Sequence, residues 1–206
     1  SVKTFYRILV EAGLIHHRGN SRPGHKQSRL EELKATGPDQ VYSWDITWLP
    51  TCVRGLFLFA YMIIDVWSRK VVGWEIHTEE SAKIAEDMFK RLARKNNLKG
   101  VKLHSDNGHP MKGSMLLVTL HLMGVLPSFS RPRVSNDNPF IESFFKTVKF
   151  TPGYPGRFRD IEHAREWMAD FVDWYNTEHR HSGIGYITTE QRHSGQVKRS
   201  CVFATR

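Results

Sequence analysis

The chain has 206 residues, 40% of them apolar, and 30 Lys and Arg against 21 Asp and Glu give a net charge of +9 and a pI near 9.7. That apolar share supports a globular core, and the basic excess favours a polyanionic partner, nucleic acid first. Two distant cysteines, Cys52 and Cys201, exclude a disulfide framework or a paired-cysteine zinc site and fit a reducing, cytoplasmic setting, and no apolar run reaches the roughly 20 residues that span a bilayer.

The chain opens at Ser1 and enters a helical pattern at once, which predicts a fragment of a longer protein. In VKTFYRILVEAGL, Phe5, Ile8, Leu9 and Ala12 share one helical face and Gly13 is the expected stop. Residues 15–38 are basic and punctuated by Gly and Pro, so they read as a linker; His16, His17 and His25 lack the spacing of metal ligands. From Val41 the pattern becomes that of strands: VYSWDITWL alternates, LFLFAYMIIDV is a continuous apolar run, and RKVVGWEIH alternates again. The short connections PTCVRG and WS predict three consecutive antiparallel strands.

An amphipathic helix over TEESAKIAEDMFKRLARKNN follows, with Thr78 as its expected N-cap and Ala85, Met88, Phe89 and Leu92 on its apolar face. VKLHS is a short strand, SMLLVTLHLMG a helix closed by Gly124, and VLPSFS a further strand. NPFIESFFKTVK is a helix that Asp137 can cap, with Pro139 in its first turn, and DIEHAREWMADFVDWYN is a longer one. From Thr177 the tail reads as polar and irregular. The order βββαβαβ predicts an α/β fold: a five-stranded mixed sheet, three antiparallel strands then βαβ, flanked by helices.

Three acids sit where local structure does not call for them. Asp45 lies inside the first strand, where Asp is a poor former, Asp106 follows the fourth strand, and Glu142 lies one turn into the helix near Asn138. Sixty residues separate the first pair and 35 the second. Ile141, Phe144, Phe145 and Val148 form that helix's apolar stripe, while Glu142, Lys146 and Lys149 share an adjacent ridge. Alone, this ridge is explained by a solvated Glu–Lys pair; beside Asp45 and Asp106 it suggests carboxylates that hold two Mg²⁺ ions for phosphodiester chemistry, with lysines on phosphates. Asn107 and Gly108 read as a turn after Asp106, and Lys112 as a further candidate DNA contact.

The segments VYSWDITWLPT, LFLFAYMIIDVWSRKVVGWEI, LHSDNGHPMKGS, SRPRVSNDNPFIESFFKTVK and WYNTEHRHSGIGYIT resemble, in order and spacing, the catalytic core of DDE transposases of the insertion-sequence-three family. The resemblance implies a ribonuclease-H-like, retroviral-integrase-type fold over residues 39–190. It also implies that residues 1–14 are the last helix of an upstream helix-turn-helix module and that 191–206 are a tail. It implies that Asp45, Asp106 and Glu142 are the catalytic triad on two Mg²⁺ ions, with Mn²⁺ as substitute, and that Lys146 and Lys149 contact DNA. Asp65 falls in a family motif as a structural residue at a strand end.

The implied partners are double-stranded DNA, at transposon ends and target, and further copies of the chain at the bacterial nucleoid, with no membrane and no small-molecule cofactor. The implied reaction is water attack at the transposon end, then attack of the freed 3′-OH on another phosphodiester, without a covalent protein intermediate. The chain departs from the family in reading VSNDNPFIESFF before Glu142, which keeps only the Asp-Asn pair of a longer motif, and HSDNG where several relatives have HSDRG. Three other readings fit parts of the pattern: a nuclease of the same fold that does not join strands, a non-catalytic DNA-binding or multimerisation fragment, and, distantly, a glycosidase with paired acids.

Overall fold

Strand β1 (Val41–Pro50) is the centre of the sheet, with two strands on each side of it. β2 (Phe57–Asp65) runs antiparallel to it, β4 (Lys102–Ser105) runs parallel on the other side, and β3 (Val71–His77) and β5 (Leu126–Phe129) complete a sheet of order β3-β2-β1-β4-β5. The computed structural model describes residues 1–14, 34–106, 108, 110–130 and 138–196. The chain divides into Ser1–Glu31 and Glu32–Arg206, and the sheet belongs to the second unit.

Helices cover both faces, which explains why β2 is apolar throughout. Leu58, Ala60, Met62 and Ile64 face α4 (Pro139–Phe150) and α5 (Ile161–Thr177), where they pack with Ile141, Phe144, Met168 and Phe171. Tyr61 and Ile63 point the other way, against Ala85, Met88 and Phe89 of α2 (Ala82–Lys95) and Leu116 and Leu120 of α3 (Ser114–Leu122). The result is the expected three-layer α/β fold with its five-stranded mixed sheet. A 3₁₀ turn, Pro110–Lys112, leads into α3; a Cβ on Gly113 would stand 2.4 Å from that of Ala82, so only glycine permits this approach to α2.

Several elements differ from the sequence reading. The helix expected from Thr78 begins at Ala82 and is capped by Ser81, whose hydroxyl accepts the Lys83 N–H at 3.2 Å. The Tyr61 hydroxyl delays its start by accepting the Ser81 N–H at 2.7 Å and donating to the Glu79 carbonyl at 3.0 Å. The tail is also ordered in part. Arg180–His181 (β6) pairs with Ile187–Thr188 (β7), and α6 (Thr189–His193) starts in a capping box between Thr188 and Gln191. Hydrogen bonds, not apolar periodicity, make these elements, so the sequence pattern did not reveal them. Gly124, at φ +73°, closes α3 as expected.

In the first unit, α1 (Val2–Glu11) buries none of its residues, and Gly13 ends it at φ +65°. Asp137, Asn107, Cys201, His16, His17, His25, most of the expected linker and the end of the tail lie outside the described residues.

The β2–β3 turn is organised by Asp65, which is fully buried. Its Oδ1 accepts from the Ser68 N–H at 2.6 Å and the Ser68 hydroxyl at 2.7 Å, and its Oδ2 accepts the Asp39 N–H at 2.8 Å. Replacing it leaves buried donors without partners. Asp65→Ala is therefore expected to destabilise the core by about 2–4 kcal/mol in denaturant titration, whether or not divalent cations are present.

Candidate active site

Asp45 stands in the middle of β1 on the face toward α4, because its cross-strand partner is Met62 and the flanking pairs Ser43–Ile64 and Thr47–Ala60 lie on that same side. Its Oδ1 accepts the Ile46 N–H at 2.8 Å. Parallel pairing then places Asp106. Val41 lies opposite Lys102 and Ser43 opposite His104, where the pairing ends, and Asp45 and Asp106 each follow two residues further on. Beyond β4, the Gly108 N–H donates to Asp106 Oδ1 at 2.8 Å and fixes the carboxylate in a tight turn. A Cβ on Gly108 would lie 2.9 Å from that same oxygen.

Glu142 comes from α4, whose N-cap residue Asn138 is anchored on β1 by a hydrogen bond from the Ser43 hydroxyl. One turn of helix, about 6 Å, separates Asn138 from Glu142, and two strand residues, about 6.7 Å, separate Ser43 from Asp45. A second contact steadies the start of α4, with the Arg69 guanidinium 3.8 Å from the centre of the Phe140 ring.

The three acids act on one another. Burial pushes the Asp45 carboxyl up to about 7, the Ile46 N–H opposes that rise, and the charges of Asp106, Glu142 and Glu80 add to it. Glu80 was not singled out by the sequence; its Oε1 accepts the Trp48 indole N–H at 2.7 Å. Asp45, Asp106 and Glu142 do not form a set of ligand groups within 4.8 Å of one another. Among the described residues, the one set of three ligand groups whose atoms all lie within 4.8 Å of one another is Asp39, Asp65 and His193.

That set is a hydrogen-bond network. Asp65 is consumed by Ser68 and Asp39, Asp39 Oδ1 also accepts the Tyr42 hydroxyl at 2.5 Å, and His193 Nδ1 lies 3.1 Å from the Ser68 hydroxyl. Each oxygen of Asp65 already has a protein donor, and the set lies at the opposite end of β2 from Pro50.

The three lysines are exposed. Lys146 and Lys149 lie on the outer side of α4, and no ion pair joins either to Glu142 among the described residues. Lys112 lies 5.6 Å from the centre of the Phe129 ring, at the end of β5.

Residues 35–135 match the family described as integrase core domain, and residues 123–188 match a second family with the same description. Over 185 residues the chain is 34% identical to the transposase for insertion sequence element IS904 of Lactococcus lactis, covering 87% of this chain and 72% of that protein. The chain belongs to the insertion-sequence-three family of transposases. It is an enzyme core that acts on DNA.

The transposase InsF for insertion sequence IS3A of Escherichia coli is 28% identical over 203 residues, covering 93% of this chain and 70% of that protein. The fold is shared with a more distant group: the HTLV-2 integrase catalytic core domain, solved in complex with magnesium, superposes with a TM-score of 0.58 at 14% identity, over 78% of this chain and 99% of that one. No helix among the described residues of the transposase is long and apolar enough to cross a membrane.

Two further residues escaped the sequence reading. Ser43 is a small polar residue on the apolar face of β1, and Asn138 precedes a helix-starting proline; each signal is common, and only the fold joins them.

The raised pKa of Asp45 has a definite sign. An acid whose folded pKa exceeds its unfolded value stabilises the protein at low pH, and that contribution is lost as pH rises through about 7. Asp45→Asn is therefore expected to make the cation-free protein more stable at pH 8 by on the order of 1–3 kcal/mol, with little change at pH 4, in paired melting curves. Gly108→Ala is expected to push the Asp106 carboxylate aside and reduce DNA cleavage by about tenfold or more while changing stability by less than about 2 kcal/mol, as read from kcat and a melt of the same sample.

Proposed function

We propose that Asp45, Asp106 and Glu142 are the catalytic and metal-binding carboxylates of this transposase, and that it cleaves DNA at the ends of its element and joins the freed 3′ strand to a second phosphodiester. The observation that supports this reading is that the charges of Asp106 and Glu142 both act on the Asp45 carboxyl, beside a parallel β1–β4 ladder that ends two residues before Asp45 and Asp106.

The donor set fits a hard divalent cation. All three groups are oxygen ligands, and Asp45 is held near a pKa of 7 by burial and by like charges that a cation would offset. Magnesium, or manganese in its place, is the cation proposed, as two ions shared by the triad; the HTLV-2 core was solved with magnesium. When bound, such ions activate the attacking oxygen and stabilise the leaving one.

The chain's own residues do the rest. Asp45 and Asp106 are fixed by backbone donors and supply an anionic platform of set spacing, and Glu142 closes on it from α4. Water attacks first and the 3′-OH second; each breaks one P–O bond as it forms another, and no protein nucleophile intervenes. Lys146, Lys149 and Lys112 are the proposed contacts to the DNA backbone, where exposed ammonium groups bind phosphates without reading sequence.

The catalytic core is assigned to residues 39–190, with 15–38 as a basic linker, 1–14 as the remnant of a helix-turn-helix module and 191–206 as a tail. The working form is a homo-oligomer that holds double-stranded transposon ends and target DNA at the nucleoid in the bacterial cytoplasm. The bacterial relatives support that setting.

An oligonucleotide carrying the element's end, incubated with Mg²⁺ and an acceptor duplex, is expected to yield nicked and joined strands. Asp106→Asn or Glu142→Gln is expected to lower both products by about 100-fold or more. Nicking without joining would identify a nuclease instead, and wild-type rates in Asp106→Asn would remove the triad from the mechanism.

A further inference from the structure

The joint between β1 and the start of α4 is buried and polar at a place where packing alone would favour apolar side chains. Ser43 is 1% exposed and Asn138 is 5% exposed. The Ser43 hydroxyl donates to Asn138 Oδ1, while the other half of that amide, Nδ2, is a buried donor with no hydrogen-bond partner among the described residues. A buried polar pair at this joint calls for a reason beyond packing.

The position of the pair supplies that reason. Ser43 is two residues before Asp45 on the same strand face, and the Glu142 N–H donates to the Asn138 carbonyl at 3.3 Å in the first turn of α4. The side chain of Asn138 thus grips the strand that carries Asp45, while its backbone begins the turn that carries Glu142. α4 has no side-chain cap of its own, because the oxygen that could have capped it is turned to Ser43.

We propose that Ser43 and Asn138 are positioning residues, a clip that sets the distance between the Asp45 and Glu142 carboxylates and hence the affinity of the site for its divalent cation. The inference rests on the triad reading above. Neither residue touches the reacting atoms; they act through the two acids, as the outer partners of metal ligands do.

The experiment uses the whole chain and reads Mn²⁺ binding by calorimetry beside a thermal melt. Ser43→Ala removes a single oxygen, and the double variant Ser43→Ala with Asn138→Leu replaces both polar partners with apolar groups, a change expected to leave the melting temperature equal or higher. Both are expected to bind Mn²⁺ about tenfold more weakly than the wild type and to match each other, because breaking the clip once is enough. Ser43→Thr, which keeps the hydroxyl, is expected to restore the affinity. A double variant that binds Mn²⁺ within about twofold of wild type, while Glu142→Gln binds it weakly, would overturn the clip and leave the triad standing. Wild-type Mn²⁺ affinity in Glu142→Gln would instead overturn the triad reading, and the clip with it.

Discussion

The parallel pairing of β1 with β4 is the constraint from which the rest of the site follows. A parallel neighbour requires a crossover, and here α2 supplies it, covering one sheet face and bringing the end of β4 beside the middle of β1. In a parallel register, residues abreast point to the same face. The ladder ends at Ser43–His104, and Asp45 and Asp106 each follow two residues beyond it. Burial first, and then the charges of Asp106, Glu142 and Glu80, raise the pKa of Asp45.

Much of this was legible in the sequence. Asp45 stood out because an acid inside an alternating strand with Trp44 and Ile46 contradicts strand propensity, and Asp106 because it follows a short strand before an Asn-Gly turn. The five strands and the main helices followed from period and punctuation. What the sequence did not disclose are interactions between residues far apart in the chain and ordinary in composition. Tyr61 moves the start of α2 from Thr78 to Ser81, and Ser43 meets Asn138 across ninety-five positions. The tail was read as irregular because its hairpin and last helix are only two and five residues long, too short to show a period.

One acidic grouping lies where β1 starts and β2 ends and the other includes Asp45 at mid-strand, and their hydrogen bonding distinguishes them. Asp65 has every strong donor it needs within the protein, so its charge is used to fold the turn and join it to Asp39 and His193. Among the described residues, Asp45 and Asp106 each have one backbone donor from a near neighbour, which leaves further oxygen lone pairs for a ligand. Proximity of ligand atoms by itself would have selected the first grouping. The availability of lone pairs is what favours the second in the proposed reading.

The edge strand β3 carries one more consequence. Asn176 of α5 presents its amide to Val71 as a strand would present its backbone, accepting the Val71 N–H and donating to the Val71 carbonyl, each at 3.0 Å. A side chain has taken the seat a sixth strand would need at that end of the sheet. Extension of the sheet by a further strand is therefore blocked at Val71, the start of β3.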